Sequence, residues 1–366
     1  MKITINREEL LPALQTVCGV VERRQTLPIL SNLLITLSGQ FLRLTATDME
    51  VELTATINKN LDVSGETTLP ARKLLDICRT LPENASINID IGNDRAQVNS
   101  KKSRFTLSVL PAREYPLIEM NEVQAEFSTT QGKLKSLLDK TAFAMAQQDV
   151  RYYLNGLLLE LDGKQIRAVA TDGHRLALCD SLNEIEVKQP IQIIVPRKGV
   201  LELSRLLKEE EEEVKVQISA NHIRVIREDL QFTSKLIDGK FPDYDRVIPE
   251  MGKTPVLAER EALRQSLTRA SILSNEKYRG VRILLEKGKL KAIAHNPEQE
   301  EAEEEIDVDY QGEDIEIGFN VSYLLDALAI IKTPNVVITI NDPNSSCLIL
   351  PEDSSDTKYV VMPMRL

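Results

Sequence analysis

The chain has no tryptophan, only 4% aromatic residues, and three histidines among 366 residues. Its cores must therefore be built mainly from leucine, isoleucine and valine, and with 42% apolar residues there is enough material for them. No 18-residue apolar run occurs, so no membrane-spanning helix is signalled. The opening "MKITINREELL" alternates where a signal peptide would carry an apolar block. A cytoplasmic protein with no membrane partner is expected. Cysteine is sparse, and Cys18, Cys78, Cys179 and Cys347 never form CxxC, which leaves no zinc signature and no disulfide framework. All four read as small buried hydrophobes, and neither metal nor cofactor is expected. Positive charge is also in deficit, at 45 Lys and Arg against 56 Asp and Glu, a net charge of -11. Taken as a whole, that balance argues against nonspecific nucleic-acid binding, but a sum does not say where each sign sits.

The length suggests two or three domains, and an internal repeat decides for three. "LSNLLITLSGQFLRLTATDMEVEL" (30–53) lies over "LNGLLLELDGKQIRAVATDGHRLAL" (154–178) and "RGVRILLEKGKLKAIAHNPEQEEAEEE" (279–305). Leu33, Leu157 and Val281 are spaced by 124 residues, as are Asp48, Asp172 and Asn296. Each copy reads as strand, glycine turn, strand, short polar turn, strand. A helical block precedes each copy, with Leu134, Leu137, Leu138 and Thr141 on one face of the second. Another helix follows each copy, at 70–81, 196–207 and 320–331, and leads into further strand-like segments. Breaker-rich stretches place domain boundaries near 125 and 253, giving domains 1–125, 126–253 and 254–366. A period this long means repeated domains and favours a geometric function over one specialised active site.

The helical stretches 6–24, 70–82, 131–148, 196–208, 258–277 and 320–332 together carry +8, so the rest of the chain carries -19. Basic helices facing DNA, with acidic sheets facing water, would attract phosphates on one surface and repel them elsewhere. No zinc-finger, basic-zipper or helix-turn-helix signal offers base readout. Basic solvated faces on ordinary helices would give the same sum. The acidic runs at 208–216 and 297–310 read as solvated turns or strand ends, the second also suiting a subunit contact. "VATDGHRLALCD" (169–180) invites a catalytic reading of Asp172, His174 and Cys179. Strand alternation puts Asp172 and His174 on one face and Cys179 on the other, and the first repeat keeps "ATD" without a histidine. An enzyme and an interaction scaffold that never encloses DNA stand as the alternatives.

Segments along the whole chain, among them "TLPARKLLDICR", "QDVRYYLNG", "VATDGHRLA", "DGKFPDY", "ILSNEKYRGVR", "NPEQEEAEEE" and "YVVMPMRL", resemble the bacterial DNA polymerase III beta subunit family, the sliding clamps, in the same order. The resemblance implies an α+β fold of three repeated DNA-clamp domains, each with two helices packed on antiparallel sheets. It also implies a head-to-tail homodimer forming a ring around duplex DNA, non-catalytic and without cofactor. Twelve helices packed about 9 to 10 Å apart would lie on a circle roughly 35 to 38 Å across, leaving about 25 to 28 Å for a duplex about 20 Å wide. Six helices would close at only about 18 Å between axes, so one chain cannot suffice. Implied partners are the chain itself, double-stranded DNA without sequence specificity, the polymerase III alpha subunit, the clamp loader delta subunit, and other polymerases and repair proteins with clamp-binding motifs.

By the same resemblance, DNA contacts fall to Arg24, Arg72, Gln148, Tyr152, Tyr153 and Lys198, with Gln25 standing where proline would be expected. Read as residues alone, Tyr152 and Tyr153 would simply edge a strand. A partner-peptide pocket maps onto Leu154, Thr171, Gly173, His174, Arg175, Leu176, Pro242, Val247, Val360 and Met362, with Pro363, Met364, Arg365 and Leu366 at its margin. The dimer contact would pair Lys73, Ile77, Leu81, Arg104, Phe105 and Leu107 with Ile272, Leu273, Glu298, Glu300, Glu301, Glu303 and Glu304. In such a contact the apolar members supply adhesion and the opposite charges supply register.

Overall fold

A computed structural model of the protein describes residues 1–22, 27–60, 64–92, 94–183, 185 and 189–365. The described residues form six α-helices and twenty-four strands, in an order that runs three times through strand, helix, four strands, helix, three strands. The helices are α1 (Arg7–Val17), α2 (Ala71–Thr80), α3 (Gln131–Thr141), α4 (Arg197–Leu206), α5 (Arg260–Ala270) and α6 (Val321–Ile330). Their starts are set by local chemistry. The Glu9 carboxylate reaches back to accept the Asn6 N–H at 3.0 Å ahead of α1, and Glu259 accepts from Glu261 and Ala262 N–H at 3.1 and 2.9 Å ahead of α5. Helix α2 buries Ala71, Leu74, Leu75 and Cys78, one stripe at helical spacing.

The chain forms two compact units, one of residues 1–135 and 198–236, the other of 136–197 and 237–366. In the first, an eight-stranded antiparallel sheet runs in the order Ser64–Pro70, Asn32–Ser38, Phe41–Thr47, Val51–Asn58, Leu230–Lys235, His222–Arg227, Glu213–Ser219 and Val123–Thr130. Four strands of the first repeat thus join four of the second along a seam where Val51 faces Ser234 and Ala55 faces Leu230. A four-stranded sheet accompanies it, ordered Lys2–Asn6, Ser86–Ile91, Arg95–Ser100 and Ser103–Ser108. The second unit repeats the plan. Its eight-stranded sheet joins second-repeat and third-repeat strands where Arg175 faces Val361 and Cys179 faces Thr357. Its four-stranded sheet is ordered Glu301–Asp307, Lys289–His295, Gly280–Glu286 and Ile315–Asn320.

The repeat spacing survives in the strands themselves, since Asn32, Gly156 and Gly280 each open the equivalent strand. Polar or short strands escape the sequence patterns, notably Arg95–Ser100 and Val256–Glu259. Tyr152 and Tyr153 do not edge a strand: they form a single 3-10 turn, Tyr152–Leu154, ahead of Gly156–Leu161. The acidic run at 297–310 contains a full strand, Glu301–Asp307, at a sheet edge.

All four cysteines are buried and unpaired. Burial pushes the Cys18 and Cys78 thiols up to about 11 and Cys347 to about 12, from an ordinary value of 9.0. None should react with a disulfide reagent at pH 8 until the chain is unfolded, when all four should titrate; fast labelling of the native protein would contradict the packing. Because the folded values are raised, this contribution to stability is complete below pH 9 and is lost as pH climbs toward 12.

Candidate partner-binding cleft

The turn between strands Gln165–Thr171 and Arg175–Leu182 is fixed by its own side chains. Asp172 Oδ1 accepts the N–H groups of His174 and Arg175 at 2.8 and 3.0 Å. Thr171 Oγ1 donates to the Arg175 carbonyl at 2.6 Å and accepts the Gly173 N–H at 3.1 Å. Gly173 has φ +89°, in the left-handed region, and a Cβ there would lie 3.1 Å from the Arg151 guanidinium. Gly173→Ala is therefore expected to cost about 1–2 kcal/mol and to displace Arg151 from the Asp172 carbonyl. Calorimetry checks this, and an unchanged Tm would contradict it.

Beside this turn lies a cleft of about 180 Å³, lined by Leu154, Thr171, Gly173, Arg175, Leu176, Pro242, Val247, Val360 and Met362, with Arg151, Tyr153, Asp243 and Tyr244. Its floor is continuous with the core of the second unit, where Leu154, Leu176, Tyr244, Leu348 and Val360 pack together. The rim is polar and tightly held. Arg175 donates to the Phe143 carbonyl at 2.8 Å, pairs with Asp172 and Asp326, and lies 4.7 Å from the Tyr323 ring centre. Arg151 grips Asp149 through two bonds of 3.0 and 2.9 Å, holding that carboxyl near a pKa of about 2. Tyr244 donates to Glu160 and accepts from Arg167, itself paired with Asp180 at 2.7 Å. Burial, with the Glu160 bond, raises the phenol pKa, so Tyr244 stays neutral at physiological pH. Met362 enters the wall because its N–H donates to the His174 carbonyl at 2.8 Å, extending strand Thr357–Val361 by one residue.

Nine of the ten predicted pocket residues line this cleft; His174 does not. Its side chain is exposed and stacks on Tyr323, ring centres 6.4 Å apart, while its backbone carbonyl anchors Met362. Cys179 is buried beside Thr357 Oγ1 at 3.5 Å, so the Asp–His–Cys set forms no nucleophile and base pair. Of the predicted margin, Pro363 and Met364 are half-buried and Arg365 is exposed, with Met364 N–H on the Gly318 carbonyl at 2.8 Å, while Leu366 lies outside the described residues. Arg151, Asp243 and Tyr244 were missed, although "QDVRYYLNG" and "DGKFPDY" contain them. Tyr153, assigned to DNA, turns into the cleft.

The other candidate residues divide between the two units. Arg24, with Gln25, lies outside the described residues. Arg72 is exposed at the start of α2 and donates to the Val21 carbonyl. Lys198 is ion-paired with Glu22 and Asp48. Burial alone would depress its pKa, but the two carboxylates outweigh it, so any phosphate would have to displace them. Gln148 has φ +58°, and Tyr152 is exposed with its ring edge-on to Tyr153 at 5.8 Å. Among the dimer candidates, Lys73 and Ile77 lie on α2, Leu81 is buried just after it, and Arg104, Phe105 and Leu107 sit on edge strand Ser103–Ser108. Ile272 is exposed and Leu273 half-buried in the turn after α5, Glu298 and Glu300 precede edge strand Glu301–Asp307, and Glu301, Glu303 and Glu304 lie on it. Glu304 is bound to Arg269 at 2.8 and 2.5 Å.

A threefold repeat with bare sheet edges and an apolar cleft with a fixed polar rim define the fold and site of a repeated-domain binding protein. Sequence models of the DNA polymerase III beta subunit match its N-terminal domain at 1–119, its central domain at 128–243 and its C-terminal domain at 245–365. The beta sliding clamp of Pseudomonas aeruginosa is 54% identical over 367 residues, covering all of both chains. A crystal structure of the DNA polymerase III subunit beta from that organism superposes with a TM-score of 0.98 at 54% identity, and the same clamp bound to griselimycin with 0.97 at 54%, each covering both chains in full. The chain belongs to the DNA polymerase III beta subunit family of sliding clamps.

Proposed function

We propose that two copies of this chain close head to tail into a ring around duplex DNA and, as a non-catalytic subunit, tether DNA polymerase III and other cleft-binding proteins to their template. The observation that carries this reading is a mismatch of edges. Each internal seam pairs the third strand of one half-repeat with the last strand of another. The two strands left bare in these same positions are Glu301–Asp307 and Ser103–Ser108. Carrying the seam register across to a second copy sets Arg104 opposite the partner subunit's Glu303 and Ser103 opposite the partner subunit's Glu304. Within one chain Arg104 and Glu303 are both exposed and, among the described residues, have no charged partner. An unpaired edge strand is otherwise a liability, and pairing removes it.

A closed ring holds DNA by topology, so individual phosphate contacts from residues such as Arg72 can stay weak and permit sliding. A polymerase bound at the cleft then gains a high effective concentration at the primer end. The cleft's apolar floor and polar rim suit short linear motifs, with the polymerase alpha subunit and the clamp loader delta subunit as the occupants we infer. Three domains, 1–125, 126–253 and 254–366, acting in the cytoplasm complete the proposal. The order of elements and the three family matches support the division. Among the described residues no helix is long and apolar enough to cross a membrane. The test is retention: after loading, the protein should remain on circular DNA at moderate salt and be lost on linearisation. Equal loss from both forms would overturn enclosure.

A further inference from the structure

The turn that builds the cleft in the second unit has a twin in the first. Asp48 Oδ1 accepts the Glu50 and Val51 N–H groups at 2.9 and 2.7 Å, and Thr47 Oγ1 donates to the Val51 carbonyl at 3.0 Å while accepting the Met49 N–H at 3.0 Å. Bond for bond this is the arrangement around Asp172 and Thr171. Lys235 N–H donates to the Glu50 carbonyl at 2.9 Å, as Met362 does to His174. Lys235 therefore occupies the position of Met362, and beside the twin turn lies a second cleft of about 160 Å³.

Three features of this twin mark a ligand site beyond the scaffold that repeats. Met49 holds φ +73°, a left-handed conformation that costs a non-glycine residue energy and that its counterpart Gly173 adopts freely. Methionine at this strained place puts a partly exposed thioether on the cleft wall, near the exposed Leu117. His222 is only 5% exposed, lines the cleft, and has no hydrogen-bond partner for either ring nitrogen among the described residues. Burial, with Lys235 and Arg224 nearby, keeps its pKa low, so near neutral pH it offers one donor and one acceptor that nothing in the fold satisfies. A buried polar group without a partner is costly unless a ligand supplies one. The exposed Lys235 ammonium has no carboxylate partner among the described residues and stands where the other cleft has an apolar sulfur. Glu119 also lines the cleft.

We propose that this cleft at the first seam is a second recognition site, taking a short peptide in which an acidic side chain adjoins an apolar one. The carboxylate meets Lys235 and His222, and the apolar group meets Met49 and Ile118. The peptide nature of the ligand rests on the reading of the first cleft; the acidic preference rests on Lys235 and His222 alone.

The test uses the full-length protein with isotope-labelled methionine and isoleucine methyl groups, titrated with the blocked tripeptides acetyl-Leu-Asp-Leu-amide and acetyl-Leu-Asn-Leu-amide. Saturable shifts at Met49 and Ile118 are expected with the aspartyl peptide, about fivefold weaker with the asparaginyl peptide and about fivefold weaker in Lys235→Met, the loss of one partly screened charge contact. Lys235 is exposed and its backbone bond to Glu50 is kept in the variant, so folding is not at stake. The Met362 methyl reports the first cleft separately. Shifts at Met362 alone, no saturable shift at Met49, or equal binding of the two peptides would overturn the proposal. Shifts at Met49 without shifts at Met362 would uphold it while removing the peptide reading of the first cleft.

Discussion

Ile272→Asp should leave the protein monomeric at micromolar concentration with its thermal stability unchanged. Ile272 is 74% exposed in the chain, so aspartate costs nothing there until a second copy covers it. The turn carrying it follows α5 directly, and α5 is tied to edge strand Glu301–Asp307 through Arg269 and Glu304. A strand pairing across that edge would bury position 272 beside it. An uncompensated carboxylate then costs about 2–5 kcal/mol at each of two seams, enough to raise the dimer Kd by about a thousandfold or more. Sedimentation velocity on both proteins reads the mass directly, and a variant dimer that dissociates over the same concentration range as the wild type would refute the seam. Charge reversal checks the register independently. Arg104→Glu should weaken the dimer by about 1 kcal/mol per seam, and adding Glu303→Arg should restore it. If the second change fails to rescue the first, the register is wrong even if the edges do pair.

The second large effect concerns the cleft. Removing residues 362–366 deletes the Met362 wall and, if the polymerase alpha subunit is the occupant proposed above, should reduce binding of its labelled peptides by more than about a hundredfold, since a few anchors commonly carry that much of an interface. Dimer mass should be unchanged, because neither bare edge strand contains these residues. Met362→Leu separates side chain from chain end: it keeps the backbone bond to His174 and a similar volume, and should bind within about threefold of wild type. Undiminished affinity in the truncated protein would remove Met362 from the site.

How far these sites were legible follows from the range of the interactions that build them. The 124-residue spacing exposes hairpins such as Asn32–Ser38 with Phe41–Thr47, whose partners are neighbours in sequence. It says nothing of the seams, where Ala55 meets Leu230, because alternation reveals which face of a strand is apolar and not which strand lies beside it. Arg95–Ser100 escaped because its alternation rests on only two apolar residues, Ala96 and Val98, set among polar ones, too short a pattern to stand out. At the cleft, Leu154, Leu176 and Val360 came from resemblance, and the fold brings them together along its lining. His174 reaches the cleft through its carbonyl, which any residue would supply, while its ring turns to Tyr323, a division that a side-chain reading does not show. The twin cleft was invisible: Lys235 and His222 read as ordinary residues of two strands until the repeat could be compared bond by bond.

The second seam has a consequence for how the chain is made. Strand Arg175–Leu182 leaves the ribosome well before its outer partner, Thr357–Val361, which begins 175 residues further along the chain (357 − 182). Through the whole interval the nascent chain carries a bare, apolar strand edge in a sheet that cannot close, while the first unit can finish once residue 236 emerges. Late-closing, long-range β pairing of this kind is slow and prone to wrong partners. Ribosomes stalled between residues 236 and 357 would therefore hold a chain whose first unit is folded and whose second is a target for chaperones.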